Sequence, residues 1–272
     1  YYVVAVSVVI PTKNEEKYIG KVLNNIYNQS FKDFEVIVSD GNSTDKTKSE
    51  VESLIPKFKK NEIDLVFIST KKKGVAVGRN LGEKKARGKY IYFFDSDVYP
   101  DSDFIQTTLA ELKRRKLSMG TVKSRPSDKR LKNKSFHIFM NRSLAFLQFT
   151  PFPAAFGHCI LCSKKAFNKI GGFDPDIFLA EDTTFITRGR RLRFRFRILK
   201  SKKLIVSTRR LNAEGSLWVT IRYILCALVF IAKGRGPRRG IAEKLLRYDM
   251  GHGHIKKDRI YKRIFRKLKK LI

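Results

Sequence analysis

Two aspartates stand one residue apart in Phe93-Phe94-Asp95-Ser96-Asp97, where the apolar run 90–94 ends. Alternate side chains at a strand end leave on the same side, so Asp95 and Asp97 can converge on one hard cation. Carboxylates at the mouth of a buried strand cost free energy unless positive charge meets them. A divalent ion carrying a phosphorylated ligand meets that need. The plain alternative is a surface turn with two solvated acids. Two more polar clusters follow apolar runs in the same way: Pro11-Thr12-Lys13-Asn14-Glu15 after residues 3–10, and residues 40–45 after residues 34–39.

The elements that must position these clusters can be read from the spacing of apolar residues. Residues 3–10 are β-branched and apolar, as in a strand buried on both faces, with Pro11 expected to stop it. Ile19, Val22, Leu23, Ile26 and Tyr27 fall at helical spacing. Strands are expected at 34–39, 65–69 and 90–94. Helices are expected after Asp45, which could cap the first, then over 75–86 behind the basic loop 71–74, and over 101–116. Strand and helix alternate four times on short connections, the pattern of a doubly wound α/β sheet. Ligands of such sheets bind at the carboxyl ends of the strands, and all three polar clusters share that address.

Beyond residue 116 the pattern loosens. Residues 124–134 read as a polar, mobile loop and residues 136–156 as a Phe- and Leu-rich segment interrupted by Pro151 and Pro153. A strand is expected at 157–162, a tight turn at 171–175, a helix from Glu181 to Arg191, and two strands at 194–199 and 204–208.

The net charge of +33 on 272 residues is unevenly placed. The first hundred residues carry 17 Lys/Arg against 13 Asp/Glu, leaving 41 against 12 in the remainder, so the second part faces an anionic partner. Residues 217–232 are apolar apart from Thr220 and Arg222, yet shorter than the ~20 residues that cross a bilayer. Residues 255–272 place Ile260, Ile264, Phe265, Leu268, Leu271 and Ile272 on one helical face, with nine Lys/Arg and only Asp258 opposite. A basic amphipathic helix beside a short apolar one points to an anionic membrane surface. A helical pair packed on the domain is the alternative. Cys159 and Cys162 have no second pair with which to build a zinc site, and their spacing in a strand sends them to opposite faces as small core residues. With Cys226 the only other cysteine, a reducing compartment is expected.

Together these segments resemble family 2 glycosyltransferases of the GT-A fold. The resemblance rests on residues 7–16 (SVVIPTKNEE) and 34–45 (FEVIVSDGNSTD), then Gly78-Arg79-Asn80-Leu81-Gly82, Gly88-Lys89-Tyr90-Ile91 and Asp95-Ser96-Asp97 in the same order and spacing. Gly171-Gly172-Phe173-Asp174 and Glu181-Asp182 complete the set. It covers about residues 3–215. It implies a Rossmann-like, mostly parallel sheet flanked by helices, with residues 1–215 as the GT-A domain and 216–272 as a helical, basic, membrane-associating segment.

The resemblance also implies an inverting, non-processive, metal-dependent transfer of a sugar from a nucleotide-diphosphate donor. Pro11, Thr12, Lys13 and Glu15 would pack along the nucleoside, and Asp40 would accept a hydrogen bond from the base. Asp95 and Ser96 would face the ribose, and Asp97 with Asp95 would hold Mg²⁺ or Mn²⁺. Arg79 could offset phosphate charge, or be a surface arginine. Asp182 would be the general base, with Glu181 orienting the site; a helix N-terminal acidic pair is the alternative. Arg209 and Arg210, in a Ser/Thr-x-Arg-Arg-like segment, could meet the diphosphate. Ser39 stands where many relatives have Asp. The Q-x-x-R-W motif of processive members is absent, and Trp218 is the only tryptophan. A glycan or lipid-linked acceptor at the cytoplasmic face of the membrane fits the hydrophobicity and charge; nucleic acid is not expected as a partner. A nucleotidyltransferase, a nucleic-acid-binding protein and a catalytically inactive basic protein are the alternatives.

Overall fold

The computed structural model describes residues 4–238. In chain order the elements begin β1 (Val6–Thr12), α1 (Ile19–Tyr27), β2 (Phe34–Asp40), α2 (Thr47–Lys59), β3 (Leu65–Ser69), α3 (Val75–Lys85), β4 (Tyr90–Phe94), β5 (Val98–Tyr99) and α4 (Phe104–Arg114). They continue with β6 (Met119–Pro126), α5 (Leu131–Leu147), β7 (Cys159–Ser163), α6 (Lys164–Ile170), α7 (Glu181–Arg191), β8 (Phe196–Val206), α8 (Arg209–Glu214) and α9 (Ser216–Lys233). The eight strands form one sheet in the order β3-β2-β1-β4-β7-β6-β8-β5. β3, β2, β1 and β4 are mutually parallel, as is β6 with β8; β7 runs against both its neighbours and β5 against β8. The mostly parallel α/β architecture expected from the alternation is the one present.

Period-two alternation explains how the sheet is covered on both faces. Val6, Val8 and Ile10 of β1 and Tyr92 and Phe94 of β4 enter one core, with Ile19, Val22, Leu23 and Ile26 of α1. Val9, Ile91 and Phe93 enter the other, with Phe167 of α6, Phe173, and Phe185 of α7. Each such aliphatic or aromatic side chain contributes roughly 1.5–3 kcal/mol of transfer free energy. Cys159 and Cys162 split between the two cores, as their spacing requires.

Four local readings are corrected. Pro11 does not end β1; the strand continues through Pro11, opposite Ser39, to Thr12, opposite Asp40. Proline removes only one N–H, so the ladder survives it. Residues 124–134 are not a loop: β6 runs to Pro126 and α5 begins at Leu131. The two strands expected at 194–199 and 204–208 are one, β8 (Phe196–Val206). β8 pairs with β6 along its length and absorbs the polar stretch Lys200–Lys203 as an irregularity opposite Val122/Lys123. The apolar C-terminal helix spans 18 residues, long and apolar enough to cross a membrane by length and composition alone. The basic amphipathic helix expected at 255–272 lies outside the described residues.

Candidate active site

The parallel half reverses its strand order between β1 and β4, and the crevice of a doubly wound sheet opens at such a point. Pro11 and Thr12 end one wall and Asp95 begins the other. α3 lies unusually close behind this crevice. A Cβ built on Gly82 would stand 2.3 Å from Val9 Cγ1, and one on Gly78 would stand 3.0 Å from Pro11 Cβ. Glycines one turn apart let the helix settle on β1, which carries Arg79 inward.

Arg79 is 1% exposed and holds the site together. Its Nη1 donates to Glu181 Oε1 at 2.7 Å, and its Nη2 donates to Asp95 Oδ1 at 3.1 Å and to the Gly157 carbonyl at 2.8 Å. The guanidinium stacks on Phe173 at 5.2 Å. Burial alone disfavours the charge, but Glu181, Asp95 and Asp182 together raise the arginine's pKa above its usual value. Asn80, next along α3, clamps the glycine turn: Nδ2 donates to the Phe173 carbonyl at 2.7 Å and Oδ1 accepts the Phe173 N–H at 2.9 Å. Gly171 and Gly172 take φ of 81° and 72° there, a region costly for other residues.

Asp182 opens α7 beside Glu181. Burial, reinforced by the Glu181 charge and opposed by Arg79, pushes its carboxyl up to about 7. A carboxylate at that value is poised to take a proton near neutrality. The site opens beside it at Gly157, where a Cβ would lie 3.0 Å from Arg79 Nη2 and 3.1 Å from Asp182 Oδ2.

The second acidic position is bound to Arg209. Asp97 Oδ2 accepts from Arg209 Nε at 2.9 Å, while Arg209 Nη1 and Nη2 donate to the two Glu15 oxygens at 2.7 Å each. The guanidinium also sits over the Tyr18 ring at 4.3 Å. Burial pushes Asp97 up to about 6, against the pull of Arg209. Arg210 turns to Glu214 at 3.9 Å.

The strand-end loops of β1 and β2 are tied to one another. Asp40 accepts from Thr12 Oγ1 at 3.2 Å, Ser43 Oγ at 2.5 Å and the Ser43 N–H at 2.7 Å. Lys13 Nζ donates to the Gly41 and Asn42 carbonyls. One Asp40 lone pair thus remains for a further donor. Ser96 is buried between the two aspartates.

Among the described residues no group of three or more His, Cys, Asp or Glu converges on one point. Asp95 and Asp97 nonetheless suit Mg²⁺ or Mn²⁺ shared with a diphosphate. Such ions take one or two carboxylates and complete their shell with phosphate oxygens and water. Burial keeps the Asp97 carboxyl raised even beside Arg209, so a cation there would add to a positive charge that does not offset the burial.

Residues 7–171 match Glycosyl transferase family 2. The chain belongs to that family. A dolichyl N-acetyl-alpha-D-glucosaminyl phosphate 3-beta-D-2,3-diacetamido-2,3-dideoxy-beta-D-glucuronosyltransferase of Methanococcus voltae is 37% identical over 112 residues, 40% of this chain and 34% of the relative. A GalNAc(5)-diNAcBac-PP-undecaprenol beta-1,3-glucosyltransferase of Campylobacter jejuni is 38% identical over 91 residues, 34% of this chain and 29% of the relative. The matched region thus spans about a third of the length of these relatives. The mannosyltransferase PcManGT of Pyrobaculum calidifontis, solved with GDP-Man and Mn²⁺, superposes with TM-score 0.70 at 22% identity, covering 90% of this chain and 69% of that one. Staphylococcus aureus TarS 1-349 with UDP-GlcNAc superposes with TM-score 0.59 at 24% identity, covering 75% and 58%. At these identities the likeness is one of fold, and that fold is GT-A-like.

Set on this family 2 frame, seven of the residues considered fall into two groups around two arginines, while Thr12, Lys13 and Asp40 stay together at the ends of β1 and β2. Arg79, Asp95, Glu181 and Asp182 form one; Glu15, Asp97 and Arg209 form the other. Arg79 is no surface arginine. Glu15 is turned to Arg209, and Arg210 to α8. Two contributors were not foreseen, and a third, His158, is a possible ligand by residue type that no spacing in the sequence fixes. Asn80 and the Gly157 carbonyl act only across the fold, although Asn80 stood inside a recognised motif. His158 stacks on Phe156 at 4.8 Å, its Nε2 is buried without a hydrogen-bond partner, and burial lowers its pKa to about 4.

Proposed function

We propose that the chain transfers a sugar from a nucleotide-diphosphate donor to an acceptor hydroxyl or phosphate, with inversion and with Mg²⁺ or Mn²⁺. One observation carries the reading. The acid that would sit at the cation, Asp95, and the pair that would supply the base, Glu181-Asp182, share one buried guanidinium, that of Arg79. Donor end and acceptor end are thereby held at a fixed separation.

Asp182 would take the acceptor proton as the new carbon–oxygen bond forms and the bond to the diphosphate oxygen breaks. Glu181, fixed by Arg79, keeps the Asp182 carboxyl basic enough to do so. Pro11, Thr12, Lys13 and Asp40 would line the nucleoside, with Ser96 beneath the ribose. Bound by Asp95 and Asp97, the cation would neutralise charge on the departing nucleotide. Arg209, with Arg210 beside it, would turn from Asp97 to the phosphates. PcManGT with GDP-Man and Mn²⁺ supports the donor and metal choice.

The acceptor is proposed to be a glycan or a lipid-linked group, met at the cytoplasmic face of a membrane, with residues 216–272 as the docking segment. The dolichyl and undecaprenol groups in the relatives' names support a lipid-linked acceptor, and the excess of basic residues supports an anionic membrane surface. The test is a binding and hydrolysis screen of UDP-, GDP- and dTDP-sugars with Mn²⁺, Mg²⁺ or EDTA. One nucleotide should bind with metal, lose affinity in Asp97→Ala and keep it in Asp182→Asn, with hydrolysis lost in both. Failure of every donor under every metal condition would sink the reading.

A further inference from the structure

α9 is fixed to the domain along one stripe only. Val219, Arg222, Cys226 and Phe230 are buried, at the i, i+3, i+4 spacing of a single helical face. The opposite side carries Leu217, Ile224, Leu228 and Ile231 to solvent, at 74%, 47%, 57% and 59% exposure, and the one charged residue between them in sequence, Arg222, is on the buried stripe. α5 lies beside it, Phe136 against Tyr223 at 6.3 Å, and the segment after α5 brings Phe152 against Phe230 at 6.1 Å. α5 too turns apolar side chains outward, among them Phe139 and Phe146. Two adjacent helices with open apolar faces exceed what single exposed hydrophobic residues explain.

Charge identifies the occupant. Residues 129–156 contain five Lys/Arg and residues 216–238 contain four, and neither stretch contains one Asp or Glu. A second copy of the chain would bring the same positive charge against it. An anionic bilayer offers both an apolar layer for the Leu, Ile and Phe side chains and a negative surface for the basic ones. The buried stripe, with Arg222 paired to Glu214, keeps α9 lying along the protein.

The same helix reaches the proposed base. Cys226 packs with Leu179, flanked by Phe178 and Ala180, in the loop that precedes Glu181. The chain leaving α9 is stitched to that loop and to α7: the Phe178 N–H donates to the Pro237 carbonyl at 3.0 Å, and the Gly236 N–H to Thr184 Oγ1 at 3.1 Å.

We propose that α5 and α9 together form a docking face for an anionic lipid bilayer, and that this face sets the start of α7, with Asp182, at the headgroup layer, where a lipid-linked acceptor would reach it. This rests on the membrane reading above, which gave the contact to residues 216–272, and deepens it by joining α5 to α9 in one face beside the proposed base.

Trp218, the only tryptophan, lies on α9 at 37% exposure and reports on that face alone. The full chain is mixed with vesicles of phosphatidylcholine, with or without phosphatidylglycerol, while Trp218 emission and flotation are followed. Anionic vesicles should shift the emission to the blue, and brominated lipid should quench it. Leu228→Glu/Ile231→Glu on α9 and Phe139→Glu/Phe146→Glu on α5 should each weaken vesicle binding about tenfold or more, with nucleotide binding and melting unchanged. If the full chain never floats, the membrane reading itself fails. Flotation with Trp218 unmoved and the α5 pair without effect would place binding after residue 238 and overturn this inference alone. A lipid-independent shift that follows protein concentration and a doubled mass would assign the face to a second copy and overturn it as well.

Discussion

Arg209 bonds Asp97 and Glu15 at once, at 2.9 Å to the first and at 2.7 Å twice to the second. Its positive charge therefore stands where a divalent cation would draw on Asp97. Two unit charges about 4 Å apart interact by about 4 kcal/mol at an effective dielectric of ~20, ample for a tenfold effect. Arg209 and the metal must then compete for one carboxylate. Removing the guanidinium in Arg209→Gln should tighten Mn²⁺ binding in the absence of nucleotide by about tenfold or more. It should loosen nucleoside-diphosphate binding by a similar factor, because a charge-assisted hydrogen bond of about 1.5–3 kcal/mol is lost. Calorimetric titration of Mn²⁺ into both proteins decides it: equal affinity in the two would show that no competition exists.

Asp182 sets a pH dependence whose sign follows from its role. Its carboxyl is pushed up to about 7, and a base works only when deprotonated. Turnover should fall about tenfold per unit below pH 7 and level off above about pH 8. The linkage to stability has the opposite direction. A carboxyl raised from 3.8 to about 7 by folding favours the neutral form, so its contribution to stability is full below 3.8 and is lost as pH rises through 7. Asp182→Asn should cut turnover about 10²–10⁴-fold, abolish the acid limb and leave donor binding intact. A pH profile that keeps its acid limb in Asp182→Asn would assign the limb to another group.

The first half of the fold was legible because it repeats one local rule. β3 and β4 run over the residues expected, and α1 buries Ile19, Val22, Leu23 and Ile26 as its spacing requires. The second half breaks that rule for physical reasons. β6 includes Lys123 and Arg125 at alternate positions that leave the core, and β8 carries Lys200, Lys202 and Lys203 in and beside the irregularity in its pairing with β6. α5 leaves Ile138, Phe139 and Phe146 exposed, so its apolar residues trace no buried stripe. The acidic pairs could be recognised as motifs, but not their partners. Arg79 meets Asp95 across 16 residues and Glu181 across 102, and Arg209 meets Glu15 across 194. Sequence spacing carries no record of such pairings, and so Arg79 could equally be read as a surface residue.

Asn80 ties α3 to the Gly171-Gly172-Phe173 turn by two hydrogen bonds, and through it to the chain entering α7. Asn80→Ala removes both and leaves the partly buried Phe173 amide groups without partners. A loss of about 1–3 kcal/mol is expected. Turnover should fall further than donor affinity, since the loosened turn supports Glu181-Asp182 and not the nucleoside loops. Urea unfolding and the split between kcat and KM read the two effects separately. A rise in KM for the donor at constant kcat would contradict the positioning role.

Arg79 separates what holds the fold from what performs the reaction. Glu181 is about 10% exposed, so Arg79→Met would leave its charge nearly buried and unpaired, at a cost of about 3–5 kcal/mol. Removing both partners in Arg79→Met/Glu181→Gln removes both charges, and most of that stability should return, because a well-filled neutral pair can replace a buried ionic one. Catalysis should not return with it. Arg79 is the charge that opposes the rise in the Asp182 pKa, and Glu181 is the one that reinforces it. In the single variant Asp182 therefore titrates above 7 and the acid limb moves to higher pH. In the double variant the limb moves back as the Glu181 charge is lost, but Asp95 remains without its guanidinium and turnover stays low. Melting curves and pH profiles of the three proteins test this together: recovery of turnover in parallel with stability would mean that Arg79 serves the fold alone.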